Sequence, residues 1–235
     1  MSKTPQWQFD EGDHPGADFD SEADIYDGQM GKVRNVQGKI QEILSYLNLK
    51  PDQVVLEMGT GTGEFALAAS KLCSKVLAAD ISVPMLQYAE RKARALDIKN
   101  IDFIQGGLLT YEHRGPKVDV VVAQLALHHL PDFWKQVTLL KMADVMKVEG
   151  KLCLWDVIYS FDPRDYRKFF DSYLSKLAEA KGQANIDHVV AHVKNEYSTF
   201  DWIMEGMLKR ARFQVELSEF KRGFFAVYVC CLCMY

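Results

Sequence analysis

The 235-residue sequence predicts an α/β fold, in which a mostly parallel sheet carries helices on both faces. Between residues 54 and 156, apolar strand-like runs alternate with segments of helical spacing. A turn rich in glycine follows the first of these runs. At the end of the chain, two strand-like runs are joined through residues 221–223, which predicts an antiparallel last strand.

The elements follow in order. Residues 1–24 are acidic and poor in aliphatic side chains, so we predict a mobile arm there, and one domain over residues 25–235. Apolar periodicity predicts helices at 33–47 and 133–147 and a helical cap at about 157–197. A helix capped by Ser198 or Thr199 should continue to Lys209. The first predicted strand begins at Val54. The others cover residues 76–80, 101–108, 118–124, 151–156, 213–217 and 224–230.

The glycine turn has a spacing that separates two kinds of ligand. Its glycines are Gly59, Gly61 and Gly63, and Glu64 stands where a dinucleotide-binding turn would place its third glycine. We expect a carboxylate there to repel a pyrophosphate. This argues against an NAD(P)-dependent oxidoreductase. Another interpretation of the glycine spacing is a tight strand-to-helix turn that binds no ligand.

The run from Glu57 through Gly59, Gly61 and Gly63 resembles motif I of the class I S-adenosylmethionine (SAM) dependent methyltransferases. The resemblance implies a Rossmann-like seven-stranded methyltransferase sheet with SAM bound at this turn, Thr60 included. It also implies that Glu57 meets the ammonium of SAM. S-adenosylhomocysteine (SAH) would be the product.

Asp80 ends the second strand-like run, 21 residues after Gly59 (80 − 59). An acid at this position can accept both ribose hydroxyls, although dehydrogenases use the same device. The resemblance places Ile81 and Met85 on the adenine. The alternative for Asp80 is an N-cap of the next helix, for which Ser82 is the better candidate.

The third strand-like run departs from the family pattern. Many relatives follow it with Gly-Asp, whose carboxylate meets the adenine amino group, whereas this chain has Gly106 and Gly107. The side-chain acceptor is therefore missing. We expect the backbone at Gly107 and Leu108 to contact the adenine.

The segment from Gln124 through Leu125 to Leu130 follows the fourth strand, and we expect it beside the methyl group. Its Ala-Leu-His-His-Leu core resembles the small-molecule branch that includes the ubiquinone and menaquinone biosynthesis methyltransferases. His128 and His129 are the candidate bases. An equally open interpretation is that one of them orders the loop. Asp156, at the end of the fifth strand, is either a base or a cap.

Tyr26 lies in a segment that resembles the N-terminal Ala-x-x-Tyr-Asp stretch of the same branch. The resemblance implies that this stretch folds over SAM, where the ring of Tyr26 would shield the sulfonium. The other interpretation is an aromatic anchor for a loose arm.

Composition limits the class of acceptor. The net charge is −4 and the sequence lacks a basic stripe, so a nucleic-acid partner is disfavoured. The sequence has neither an apolar stretch of membrane-spanning length nor a signal peptide. Its five cysteines suggest reduced thiols, so we predict a cytoplasmic protein. The acidic residues that bind a metal in catechol-type methyltransferases are missing, so no metal is expected. We predict methyl transfer from SAM to a small molecule by in-line displacement; the alternatives are an RNA-directed methyltransferase and a non-catalytic SAM-binding protein.

Overall fold

A computed structural model describes residues 6–12 and 35–234. Its strands within these residues are β1 (Val54–Met58), β2 (Lys75–Asp80), β3 (Ile101–Gln105), β4 (Val118–Gln124), β5 (Met146–Tyr159), β6 (Thr199–Phe200), β7 (Phe213–Lys221) and β8 (Phe225–Leu232). The helices are α1 (Val36–Leu47), α2 (Glu64–Ala69), α3 (Val83–Ala95), α4 (Asp132–Val145), α5 (Tyr166–Lys181), α6 (Gln183–Asn195) and α7 (Asp201–Arg210). None of the described helices is long and apolar enough to cross a membrane.

The strands form one sheet in the order β3-β2-β1-β4-β5-β8-β7, and β6 pairs with β5 off this path. Strands β1 to β5 are parallel, and β8 runs antiparallel to both of its neighbours, β5 and β7. This confirms the predicted fold class. The order reverses between β1 and β4, and in such sheets the carboxyl ends of the strands border a ligand crevice at this point.

Both faces of the sheet are covered, as the continuous apolar strands require. On one face, Leu56 and Val121 pack with Leu139 of α4 and Leu208 of α7. On the other face, Val55 packs with Ile43 of α1, Phe65 of α2 and other apolar side chains. The sheet is therefore a rigid platform for the loops at its carboxyl edge.

Several predicted boundaries were wrong. Strand β5 begins at Met146 rather than 151, so the preceding helix ends two residues earlier than predicted. Strand β3 ends at Gln105. Neither Ser198 nor Thr199 caps α7, because Thr199 belongs to β6 and pairs with Ile158 of β5. Local periodicity carries no information on such a pairing between distant segments.

Two segments reach over the carboxyl edge. Helices α5 and α6 lie in the predicted cap region. Residues 6–12 also contact the domain: Trp7 stacks on Trp134 at 6.3 Å between ring centroids, and Phe9 meets Tyr197 edge-on at 6.0 Å. The remainder of the predicted mobile arm, and Val33 of the predicted first helix, lie outside the described residues.

Candidate active site at the carboxyl edge of the sheet

The three glycines of the turn have different structural tasks. All have positive φ, at 78° for Gly59, 51° for Gly61 and 78° for Gly63, a region that L side chains avoid. A Cβ on Gly63 would lie 2.8 Å from Cβ of Ala89, so this glycine permits close packing of α2 against α3. A Cβ on Gly61 would meet no atom within 4 Å. Gly61 therefore faces open space at the edge of the sheet.

Glu57 lies at the floor of this site and is only 2% exposed. Its carboxylate accepts hydrogen bonds from Oγ1 of Thr60 at 2.6 Å and from Nε2 of Gln124 at 3.2 Å. Desolvation raises the pKa of Glu57 to about 8, with a smaller contribution from the charge of Asp80. Since its hydrogen bonds do not offset this burial, a cationic ligand group would stabilise the ionised carboxylate.

Asp80 organises the turn beside it. Its carboxylate accepts from the N–H groups of Gly61 at 2.7 Å and Ser82 at 2.9 Å, while burial raises its pKa. The side chain of Ser82 caps α3 by accepting from the Met85 N–H at 3.3 Å, so Asp80 is not the helix cap. Asp80 is thus held at the tip of β2 next to the glycine turn.

The predicted adenine residues lie along the next part of the edge. Ile81 is half-buried, Leu108 is buried, and Gly107 donates its N–H to Oγ1 of Thr110 at 2.9 Å. Met85 is only 2% exposed, which leaves little of its side chain for a ligand.

Glu64 has polar partners on two neighbouring helices. Its carboxylate pairs with Nζ of Lys92 and accepts from Nε2 of Gln37. The expected repulsion of a pyrophosphate stays a prediction, and this carboxylate has partners on α1 and α3.

The segment after β4 brings His128 to the edge. Leu125 adopts a φ of 50°, an unfavourable backbone conformation for a branched side chain, and its N–H donates to the Trp155 carbonyl at 2.7 Å. The chain then forms a 3-10 turn at Leu127–His129. This geometry directs His128, which is 7% exposed, against the end of β5.

Asp156 of β5 holds both the ring and the backbone of His128. Its Oδ1 is hydrogen-bonded to Nδ1 of His128, and its Oδ2 accepts from the N–H groups of Leu127 at 2.8 Å and His128 at 3.2 Å. Burial opposes ionisation of this carboxyl, but the charge and the hydrogen bond of His128 hold its pKa below the usual range. Asp156 is therefore an ionised, buried partner of His128.

Helix α6 and the residue after it complete a cluster of imidazoles. Nδ1 of His129 lies 3.0 Å from Oε2 of Glu196, and the rings of His129 and His192 lie 4.1 and 4.9 Å from that of His128. Desolvation, with the nearby charge of His128, lowers the pKa of His192 to about 3. His192 is thus neutral at physiological pH.

One ligand atom from each of His128, His129 and Glu196 falls within 4.8 Å of the other two, close enough to hold a metal ion. In this geometry, however, Glu196 is paired with His129, and His128 with Asp156. The prediction that no metal is needed stays a prediction.

The structure brings together Glu57, Gln124, Asp80 and the glycine turn, with His128 and His129 on the adjoining loop. Tyr26 lies outside the described residues. Sequence reasoning missed His192 and Glu196. Their neighbours carry no motif, and each reaches the site only through long-range folding.

Comparison with known proteins finds similarity to methyltransferases. Residues 55–150 match the family model described as "Methyltransferase domain". An uncharacterized methyltransferase from Anoxybacillus flavithermus is 27% identical over an alignment of 208 residues, and the match covers 87% of this chain and 92% of that protein.

Two solved structures share the fold. A SAM-dependent methyltransferase from Aquifex aeolicus has a TM-score of 0.63 at 19% identity, covering 96% of this chain and 100% of its own. A methyltransferase in complex with the Haloferax volcanii Trm112 activator has a TM-score of 0.69 at 16% identity, covering 92% and 98%.

The domain match over residues 55–150, the methyltransferase relatives and the shared fold show the enzyme class of this protein: it is a SAM-dependent methyltransferase. SAM is accordingly its cofactor. This class excludes the NAD(P)-dependent oxidoreductase considered from the sequence.

Proposed function

We propose that this enzyme transfers the methyl group of SAM to a small-molecule acceptor, with His128 as the general base. The pairing of His128 with the buried Asp156 carries the proposal. In it, Glu57 binds the ammonium of the cofactor, Asp80 binds the ribose, and Gly59, Gly61 and Gly63 let the backbone approach closely. His129 is a second candidate base, and Tyr26 is a candidate shield for the sulfonium.

The residues at the edge fit SAM. Glu57 is a buried carboxylate whose raised pKa reflects burial that its hydrogen bonds do not offset, so an ammonium beside it would be stabilising. Gly61 leaves open space where a side chain would otherwise stand. When bound, the cofactor supplies an activated methyl group, and the protein contributes alignment and exclusion of water.

The base follows from the tautomer that Asp156 favours. An ionised carboxylate at Nδ1 makes this nitrogen the donor, so Nε2 of His128 is the acceptor in the form of the ring that carries one proton. Nε2 can then take the proton from a hydroxyl or amine of the acceptor as its lone pair attacks the methyl carbon. The neutral ring of His192 beside it adds no competing positive charge.

Contacts of the cap with the catalytic loop favour a small acceptor over a polymer. The Tyr197 N–H donates to the His128 carbonyl at 2.8 Å, which ties the end of the cap to the catalytic loop. Around the cap, Tyr159 and Phe170 form part of an aromatic cluster with Phe224. The net charge of −4 offers no general attraction for phosphates.

The test supplies SAM together with cell extract separated into a small-molecule fraction and an RNA fraction, and measures SAH release. The proposal predicts release with small molecules and its loss in His128→Asn, which should still bind SAH. His113→Asn, whose ring is hydrogen-bonded to Tyr111 and the Pro116 carbonyl, is the matched control. Release with RNA alone would indicate the RNA-directed alternative, and binding without release in any fraction would indicate a non-catalytic SAM-binding protein.

A further inference from the structure

We propose that Glu11, from the N-terminal segment, supplies the hydrogen-bond acceptor for the adenine amino group that the loop after β3 lacks. The inference rests on the proposed cofactor site. It assigns a cofactor-binding role to a residue 98 positions before the loop that it completes, as counted to Leu109.

The carboxylate of Glu11 occupies the place of a missing side chain. An ideal Cβ on Gly107 would lie 2.4 Å from the carboxyl carbon of Glu11 and 2.5 Å from each of its oxygens. Real Cβ atoms do not approach other atoms so closely. Glu11 therefore fills the space that a side chain at residue 107 would need.

Hydrogen bonds fix this carboxylate on the loop. Oε1 accepts from the Thr110 N–H at 2.9 Å and from Oγ1 of Thr110 at 2.7 Å, and both oxygens share the Leu109 N–H at 3.1 and 3.2 Å. Within the described residues, this shared N–H is the only hydrogen bond to Oε2. A carboxylate has about four acceptor positions, so Oε2 can still accept from a ligand.

The charges around Glu11 indicate the same position on the edge. Its charge is close enough to Asp80 to contribute, after burial, to the raised pKa of that carboxyl. On the other side, Nζ of Lys141 donates to the Leu109 carbonyl. Burial lowers the pKa of Lys141, and the nearby charge of Glu11 opposes this shift. Gly12, the next residue, lies against Ile81: an ideal Cβ there would be 3.8 Å from Cδ1 of Ile81.

This position suits the base of a nucleoside. Asp80 is the proposed ribose acceptor, and the base attached to that ribose would extend towards Ile81 and Gly107. Adenine carries an exocyclic amino group that can only donate, and Gly107 has no side chain to accept from it. An ionised carboxylate accepts such a bond strongly and selects adenine over a purine without the amino group.

A purely structural role makes a different prediction. Glu11 would then only anchor residues 6–12 or order the turn at 107–110, and its removal would weaken every ligand of the site equally. The two roles are separated by titrating SAH and its 6-deamino analogue, which lacks only the amino group, into the full chain by calorimetry.

The proposal predicts that Glu11→Ala weakens SAH binding by about 10- to 100-fold, as expected for a lost charge-assisted hydrogen bond, and changes binding of the 6-deamino analogue much less. Gln6→Ala, a change at an exposed residue of the same segment, should bind both ligands like wild type. Equal weakening of both ligands by Glu11→Ala, or no weakening of SAH, would overturn the proposal. Absence of SAH binding to wild type would instead overturn the cofactor site.

A rescue experiment uses the same geometry. Gly107→Asp in the Glu11→Ala background should restore most of the affinity for SAH and the preference over the 6-deamino analogue. Alone, Gly107→Asp should weaken binding, because its Cβ would collide with the carboxylate of Glu11. Failure of the double variant to recover the preference, in a protein with wild-type thermal unfolding, would contradict the assignment.

Discussion

The carboxylate of Asp156 binds His128 twice, once at the imidazole Nδ1 and once at the backbone N–H. The two residues lie 28 positions apart, on β5 and on the 3-10 turn after β4. One buried carboxylate therefore fixes both the position of the loop and the tautomer of the ring. This makes Asp156 the most informative residue for testing the proposed base.

Replacement of Asp156 by asparagine should separate binding from catalysis. We expect the methyl-transfer rate to fall by about 10²- to 10⁴-fold, the usual contribution of a general base, because the amide no longer fixes the Nδ1–H tautomer. SAH affinity by calorimetry should stay within a factor of about two, since Asp156 does not contact the proposed cofactor site. Asp162→Asn, at an exposed carboxylate paired with Arg164, is the control. Wild-type turnover in Asp156→Asn would contradict the proposed base.

Binding of SAH should release protons through Glu57. Because burial raises its pKa to about 8, this carboxyl is mostly protonated at pH 7 in the free protein. An ammonium placed beside it favours the ionised form, so binding at pH 7 should release up to about one proton. Calorimetry in buffers of different ionisation enthalpy measures this number.

Glu57→Gln should abolish the proton release and weaken binding, whereas Glu90→Gln, on the exposed face of α3, should change neither. If the proton count were the same in Glu57→Gln and wild type, another group would be responsible, and the assignment of Glu57 to the ammonium would lose its support.

His192 should make the fold sensitive to acid. Its pKa is about 3 in the folded protein and 6.5 in the unfolded chain, so between these values the unfolded chain binds more protons. Stability is therefore lost as pH falls below 6.5, with an upper limit of about 1.4 kcal/mol per pH unit. The actual loss should be smaller than this limit, because the ring of His192 is only partly buried. Urea unfolding from pH 7.5 to 4.5 should show a shallower loss in His192→Gln than in wild type or His113→Gln. Parallel curves would refute this.

The two glycines Gly61 and Gly63 should fail in different ways. Ala at Gly61 adds backbone strain of about 1 kcal/mol but meets no atom, so the fold should persist while SAH binding is lost. Ala at Gly63 adds the same strain and collides with Ala89, so we expect about 2–4 kcal/mol of lost stability in urea unfolding. Retained SAH affinity in Gly61→Ala would argue against close approach of a ligand there.

The parallel half of the fold could be predicted because its signals are local. Val54 begins a short apolar run that is typical of a strand buried on both faces, and the glycine turn that follows it directly supports this interpretation. The strand pair β7 and β8 was equally visible from its connecting turn. Strand β6 was not, because two residues are ordered only by pairing with Ile158.

The sequence predicted roles for the candidate cofactor residues. For the candidate catalytic residues it predicted a position but not which side chains contact one another. Glu57 follows from the resemblance to motif I, and Asp80 from its distance of 21 residues (80 − 59) after Gly59. The pairing of His128 with Asp156, and the approach of Glu11 to Gly107, depend on which strands lie side by side and on where the N-terminal segment packs. No local pattern encodes these contacts, since each residue taken alone fits an ordinary polar surface.

The cofactor site is tested most directly by calorimetric titration of SAH into wild type and Asp80→Ala, with Asp97→Ala at an exposed site as the control. We predict binding to wild type and to the control, and at least about tenfold weaker binding to Asp80→Ala, because the ribose loses a charged acceptor. Thermal unfolding of each variant establishes that the turn which Asp80 supports is intact. Equal affinity of wild type and a folded Asp80→Ala, or no binding to wild type, would contradict the account.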